Sequence, residues 1–202
     1  MSWRVRTIKP PTRLRINEIF CSIQGEGHFT GTPAVFIRTS GCNLHCSFCD
    51  THHEEGWEMS VSEIVIAAAS YKPRHVVITG GEPALQKELS TLVDALHEVG
   101  FFVQIETNGT CNIPSSIDWV TCSPKILGKT VIRSPHELKV IYTGEDLTPW
   151  EKEFLPKVWS LQPCDTGDAE KNAQLTAEAV RYCIDHPQWH LSLQTHKFIG
   201  VR

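Results

Sequence analysis

Nowhere in its 202 residues does this chain have an apolar run long enough to span a bilayer. The opening Met-Ser-Trp-Arg-Val-Arg also lacks the apolar stretch of a signal peptide. A cytoplasmic location with no membrane partner is the expectation. Dense basic runs are missing too. Arg4, Arg6, Lys9, Arg13 and Arg15 are scattered, and a net charge of −4 with a pI near 6.2 offers no field to a phosphate backbone. Nucleic acid is therefore not expected as a partner, and a small-molecule substrate is. No internal repeat, low-complexity tract or linker interrupts the chain, so residues 1–202 read as one domain. With 41% apolar and 21% charged residues it has the composition of an ordinary folded core.

The most telling absence is a fourth cysteine. Cys42, Cys46 and Cys49 share the loop Gly41-Cys-Asn-Leu-His-Cys-Ser-Phe-Cys-Asp-Thr51, and none follows at the next regular interval. Electron-carrier clusters are closed by four thiolates, whereas three in one loop leave one iron open to an outside ligand. Two other readings stand beside it. One is a zinc site with His45, His52 or His53 as the fourth ligand. The other is a redox pair at Cys46 and Cys49, which leaves Cys42 unexplained. Cys21, Cys111, Cys122, Cys164 and Cys183 are isolated and read as small buried hydrophobes in a reducing compartment, not as a disulfide framework.

Strand-like and helix-like runs alternate, as in an α/β fold built on mainly parallel strands. Strands are expected at Leu14–Ser22, Ala34–Thr39, His75–Thr79, Phe101–Glu106, Trp119–Cys122, Glu137–Tyr142, Val158–Gln162 and His190–Gln194. Ser60-Val-Ser-Glu63 is a capping box that opens a helix to about Tyr71, and Ala84–Glu98 carries an apolar helical face stopped by Gly100. A third helix is expected from about Asp168 to Ile184. A short one should open with Thr148 as N-cap and Pro149 at its first position. Polar clusters directly follow the strands: Thr79-Gly-Gly-Glu-Pro83, Glu106-Thr-Asn-Gly109, Ser123-Pro-Lys125, Gln162-Pro163 and Gln194-Thr-His-Lys197. The C-terminal ends of parallel strands form the active face of such folds, so these clusters and the cysteine loop are expected on one face.

C-x3-C-x-aromatic-C, with Phe48 as the aromatic, together with Thr79-Gly-Gly-Glu-Pro83, resembles the signature of the radical S-adenosylmethionine (SAM) superfamily. Ser22-Ile-Gln-Gly-Glu-Gly27, Phe36-Ile-Arg-Thr-Ser-Gly-Cys42, Cys49-Asp-Thr51, Ser123-Pro-Lys125 and Leu193-Gln-Thr-His-Lys197 narrow this, across the whole chain, to a resemblance to the 7-carboxy-7-deazaguanine synthase family. The resemblance implies a partial βα barrel, usually homodimeric. It also implies a [4Fe–4S] cluster, SAM and Mg2+, a pterin substrate, and an electron donor such as flavodoxin or ferredoxin. Cys42, Cys46 and Cys49 would hold the cluster and Thr51 the magnesium. Phe48, Cys49, Asp50, Gly81, Ser123, Pro124 and Lys125 would meet SAM, with Glu106 and Asn108 near its ribose. Ile23, Gln24, Gly25, Glu26, Arg38, Thr79, His196 and the carboxylate of Arg202 would meet the substrate. A planar guanidinium suits the carboxylate role given to Arg38. His28, His52 and His53 read as exposed. A glycyl-radical-enzyme activase and a non-catalytic iron–sulfur or zinc module are the rival functions, the first of which would lack the Ser22–Gly27 motif.

Overall fold

The computed structural model describes residues 12–49, 51 and 53–202, so Asp50 and His52 lie outside the described residues. Its centre is one open, mixed sheet of nine strands. The long strand β1 (Arg13–Ile23) pairs antiparallel with β2 (Pro33–Thr39) on one side and with β3 (Trp57–Ser60) on the other. From β2 onward every neighbour is parallel: β4 (His75–Gly80), β5 (Phe102–Thr107), β6 (Trp119–Cys122), β7 (Glu137–Tyr142), β8 (Val158–Pro163) and β9 (Trp189–Leu191). The strands follow that order from β3-β1-β2 to β9 without closing. This is the partial barrel expected from the sequence.

The residues account for the pairing. Val76, Val77 and Ile78 of β4 are all fully buried, a continuous apolar run suited to a parallel strand covered on both faces. Outside the first half of the sheet pack α1 (Val61–Ala69) and α2 (Leu89–Glu98), which bury Ile64, Ala68, Leu92, Val93 and Leu96 against Val35, Ile37, Val103 and Ile105. The second half is covered by α3 (Thr148–Glu153) and α4 (Ala169–Asp185), through Trp150, Phe154, Leu175 and Ala179 against Leu138, Val140 and Leu161. Each large side chain so buried contributes roughly 1.5–3 kcal/mol. The inner face of the sheet carries buried polar residues, among them Gln104, Thr121, Glu137 and Lys139, beside a small apolar cluster of Phe20, Ala34, Phe36 and Val77.

Several boundaries differ from the sequence reading. The capping box forms, with Ser60 accepting from the Glu63 amide and Glu63 from the Ser60 amide, but α1 stops at Ala69. Residues 84–98 are not one helix: Pro83–Leu85 is a 3-10 turn and α2 begins at Leu89. Gln86 is held extended between them, donating to the Ser40 carbonyl at 2.9 Å and accepting from the Arg15 amide at 3.1 Å. Leu147, not Thr148, is the N-cap of α3, because Asp146 takes the Thr148 amide at 3.0 Å. The last strand is Trp189–Leu191 rather than His190–Gln194. Ser192 turns away to bond Gln162, and Thr195 opens a short helix α5 (Thr195–Ile199) whose first amide meets the Gly25 carbonyl. Cys122 and Cys164 are buried as expected, whereas Cys21 is exposed and Cys111 and Cys183 are half-buried. His53 is half-buried, not exposed. None of the described helices is long and apolar enough to cross a membrane.

Candidate active site

After β2 the chain enters the cysteine loop, and two glycines decide how closely that loop lies on the end of β4. The Gly81 amide donates to the Thr39 carbonyl at 3.1 Å and the Glu82 amide to the Gly41 carbonyl at 2.9 Å. A Cβ on Gly81 would sit 1.9 Å from the Gly41 oxygen, and one on Gly80, at φ +123°, 2.2 Å from the Thr39 oxygen. Only glycine fits this approach. Beneath it Glu82, fully buried, accepts from the Ala84 and Asn108 amides and the Thr107 hydroxyl, stitching the end of β4 to that of β5. Gly81→Ala is expected to push the loop off the sheet at a cost of more than about 2 kcal/mol and to lower iron uptake on reconstitution. Iron content equal to that of the parent would contradict this.

Cys42, Cys46 and Cys49 line one cavity of about 240 Å3 over the strand ends, with Phe48, Gly81, Asn108, Ser123 and Lys125. None is in a disulfide. Burial pushes the Cys46 thiol up, Lys125 draws it down, and the Cys49 and Cys42 sulfurs push it up again, so Cys46 lies within electrostatic reach of both other sulfurs. Among the described residues no three His, Cys, Asp or Glu side chains converge on the position of a single ion. Three thiols spaced round a cavity suit a multi-iron group better than a tetrahedral zinc ion. Lys125 donates to Ser123 at 2.6 Å and lies over the Phe48 ring at 6.0 Å, so Ser123 and Lys125 meet the cysteine loop in the cavity wall. Pro124 is buried and lines neither cavity.

A second cavity of about 610 Å3 lies beneath the first. Glu26, Thr51, Thr79, Glu106 and Lys139 line both, so the two adjoin there. Lys139, on the inward face of β7, donates to Glu26 at 2.6 Å and to Glu106 at 3.0 Å. Burial alone would push the Glu26 carboxyl up, but Lys139 and hydrogen bonds from Lys139 and Gln194 hold it down at about 2. For Glu106 burial wins, helped by the Glu137 and Glu26 charges against Lys139, and its carboxyl rises to about 7. Burial pulls Lys139 down, yet the Glu106 and Glu26 charges raise it above an ordinary lysine. The junction thus holds a cation, an anion and a carboxyl that titrates near neutrality.

Ile23, Gln24, Gly25, Arg38, His196 and Arg202 complete the expected substrate set around the larger cavity. The Arg38 Nε donates to Glu18 at 2.7 Å and an Arg38 Nη lies 3.5 Å from the Thr51 hydroxyl. Arg202 also pairs with Glu18, and the Ser22 hydroxyl donates to a main-chain oxygen of Arg202. Both guanidiniums lie over Phe20, which stacks on Phe36 at 5.0 Å. Sequence reasoning missed Glu18, Phe20 and Lys139. It placed Gln162 and Pro163 at a strand end but not Cys164 and Asp165 beside them in the cysteine cavity. For Lys139 a signal existed: Glu137 and Lys139, two apart in a strand, must face the same side.

An open sheet with three thiols over its C-terminal strand ends, beside a glycine turn stripped of side chains, defines a radical SAM protein, and residues 36–120 match the Radical SAM superfamily. Over 189 residues the chain is 52% identical to the 7-carboxy-7-deazaguanine synthase of Bacteroides thetaiotaomicron, covering 93% of this chain and 98% of that protein. It is 40% identical to the synthase of Bradyrhizobium diazoefficiens at the same coverage of each. The crystal structure of QueE from Escherichia coli superposes with a TM-score of 0.74 at 34% identity, covering 91% of this chain and 95% of that one. The chain belongs to the 7-carboxy-7-deazaguanine synthase family.

Proposed function

We propose that this chain, acting as one domain, forms 7-carboxy-7-deazaguanine from 6-carboxy-5,6,7,8-tetrahydropterin with release of ammonia. The observation that carries the reading is the junction of the two cavities: a thiol-lined chamber adjoins, at Glu26, Glu106 and Lys139, a larger polar one sized for a bicyclic substrate. Cys42, Cys46 and Cys49 would hold the [4Fe–4S] cluster. The walls at Phe48, Gly81, Asn108, Ser123 and Lys125 would hold SAM, with Asp50 and Pro124 assigned there on resemblance alone. When bound, cluster and SAM supply hydrogen-atom abstraction from carbon.

The chain's own residues bind and orient. Glu18 engages the Arg38 Nε, so the remaining N–H groups of the guanidinium are those a substrate carboxylate would take. Glu26 stays ionised and accepts from N–H groups of the pterin. Glu106, with its carboxyl near 7, can hold or yield a proton as ammonia departs. Ile23, Gln24, Gly25, Thr79, His196 and Arg202 close the chamber round the ring. Thr51, at the junction, fits the part of a single hydroxyl ligand to Mg2+, the other positions falling to substrate and water. The reaction involves no net oxidation. An electron donor of the flavodoxin or ferredoxin kind is needed only to begin it, and we place the enzyme in the cytoplasm as a homodimer.

The test is SAM cleavage under reduction with and without the pterin: 6-carboxytetrahydropterin should be consumed, whereas a peptide substrate should not. Consumption of a peptide would favour an activase. Magnesium should raise turnover, and Thr51→Ala should blunt the rise. An unchanged magnesium titration would remove Thr51 from the metal site.

A further inference from the structure

The segment 24–32 between β1 and β2 has two ends with different surroundings. Gln24, Gly25 and Glu26 line the larger cavity. Gly27, at φ +66°, then reverses the chain, and three residues beyond Glu26 the Phe29 ring lies under the opposite, N-terminal end of the barrel. There it is held edge-on by His75 at 4.7 Å, Trp119 at 5.0 Å and Phe102 at 5.6 Å, the first residues of β4, β6 and β5. Edge-to-face contacts at these separations are the favoured geometry for aromatic rings. The loop closes on itself through Gly31 N–H to the Gln24 carbonyl at 2.8 Å and Gln24 N–H to the Thr32 carbonyl at 2.8 Å, so displacement of Phe29 is passed to Gln24 and its neighbours.

A second line runs through the socket itself. His75 Nε2 lies 2.9 Å from Gln104 Oε1. The Gln104 amide nitrogen donates to Glu106 at 2.9 Å and faces Thr121 at 3.4 Å, which fixes the amide's orientation and makes His75 Nε2 the donor. Glu106 in turn shares Lys139 with Glu26. The ring of His75, wedged between Phe29 and Phe102, thereby orients a carboxyl at the cavity junction.

We propose that Phe29 is a positioning residue for both carboxylates of the substrate chamber. Set into the socket of His75, Phe102 and Trp119, it holds Glu26 through the loop and Glu106 through His75 and Gln104. Phe29 touches no reacting atom, and its effect falls on substrate binding and not on the cluster. This rests on the reading of Glu26 as a pterin ligand, so Glu26→Gln is measured alongside.

The experiment compares Phe29→Ala, Phe29→Leu and Glu26→Gln in the reconstituted holoenzyme. The readouts are iron content, pterin-independent SAM cleavage, and kcat and KM for the pterin. Phe29→Ala is expected to raise KM about tenfold, the ratio that loss of one or two such ring contacts implies. Phe29→Leu, which keeps apolar volume, should give a smaller rise, and both should keep parental iron and pterin-independent cleavage. A parental KM in both Phe29 variants, beside a raised KM in Glu26→Gln, overturns the proposal alone. A parental KM in Glu26→Gln overturns the substrate reading beneath it. If both Phe29 variants lose iron together with pterin binding, Phe29 is a general core residue and the proposal fails.

Discussion

In a Cys42→Ala variant, iron and sulfide after anaerobic reconstitution are expected to fall to background, and reductive SAM cleavage below detection. Two thiolates cannot hold an iron–sulfur cube at three corners, and among the described residues the other cysteines are dispersed, with only Cys164 reaching the same cavity. The fold should not suffer. Cys42 is half-buried, and among the described residues its sulfur accepts one hydrogen bond, from the Leu44 amide at 3.4 Å, so the apo protein should lose no more than about 0.5 kcal/mol. That separation is what makes the variant informative: thermal unfolding of the apo form tests the scaffold, and iron analysis tests the ligand. Full iron with normal SAM cleavage would remove Cys42 from the cluster.

Lys139→Met should be the most damaging change away from the cysteines. It leaves Glu26 and Glu106 facing each other in a site where Lys139 is the cation bonded to both, and breaking a buried pair of this kind costs about 3 kcal/mol. The pH dependence carries the sign. Glu26, held below its unfolded value, contributes stability above about pH 4.5 that is lost as pH falls toward 2. Glu106, raised to about 7, binds its proton more tightly folded than unfolded, so stability declines as pH rises from about 4.5 to 7. Without Lys139 both carboxyls shift up, and the variant should lose more stability than the parent between pH 5 and 7. Pterin turnover should fall about a hundredfold or more while iron content holds. Urea unfolding at the two pH values, with turnover beside it, checks this, and parallel pH profiles for variant and parent would contradict it.

Much of the scaffold was legible because its elements are local. The strands from β4 to β8 are short apolar runs closed by Gly, Pro or Asn, and the α1 capping box and the α4 cap at Asp168 form as their residues dictate. What was not legible depends on distant partners. Strand β3, Trp-Glu-Met-Ser, alternates apolar and polar over only four residues, too short a run to announce a strand, and it forms because the start of β1 offers it an edge. The α2 helix starts late because Gln86 is tied to Arg15 and Ser40, 71 and 46 residues earlier. The site divides in the same way. The cysteines and glycine turn announce themselves as spacing, and the strand-end polar groups as position. Glu18 and Lys139 looked like ordinary strand charges until the sheet turned them inward against Arg38, Glu26 and Glu106.

The proposed function joins the thiol-lined chamber and the polar chamber beside it in one reaction on one substrate. Its most direct test is anaerobic turnover of the reconstituted protein with SAM, magnesium, reductant and 6-carboxytetrahydropterin labelled with 15N at the ring nitrogen that is lost, followed by mass analysis. The expected outcome is 7-carboxy-7-deazaguanine and one equivalent of labelled ammonia for each pterin consumed. SAM cleavage that proceeds under reduction while the pterin is recovered intact would contradict it.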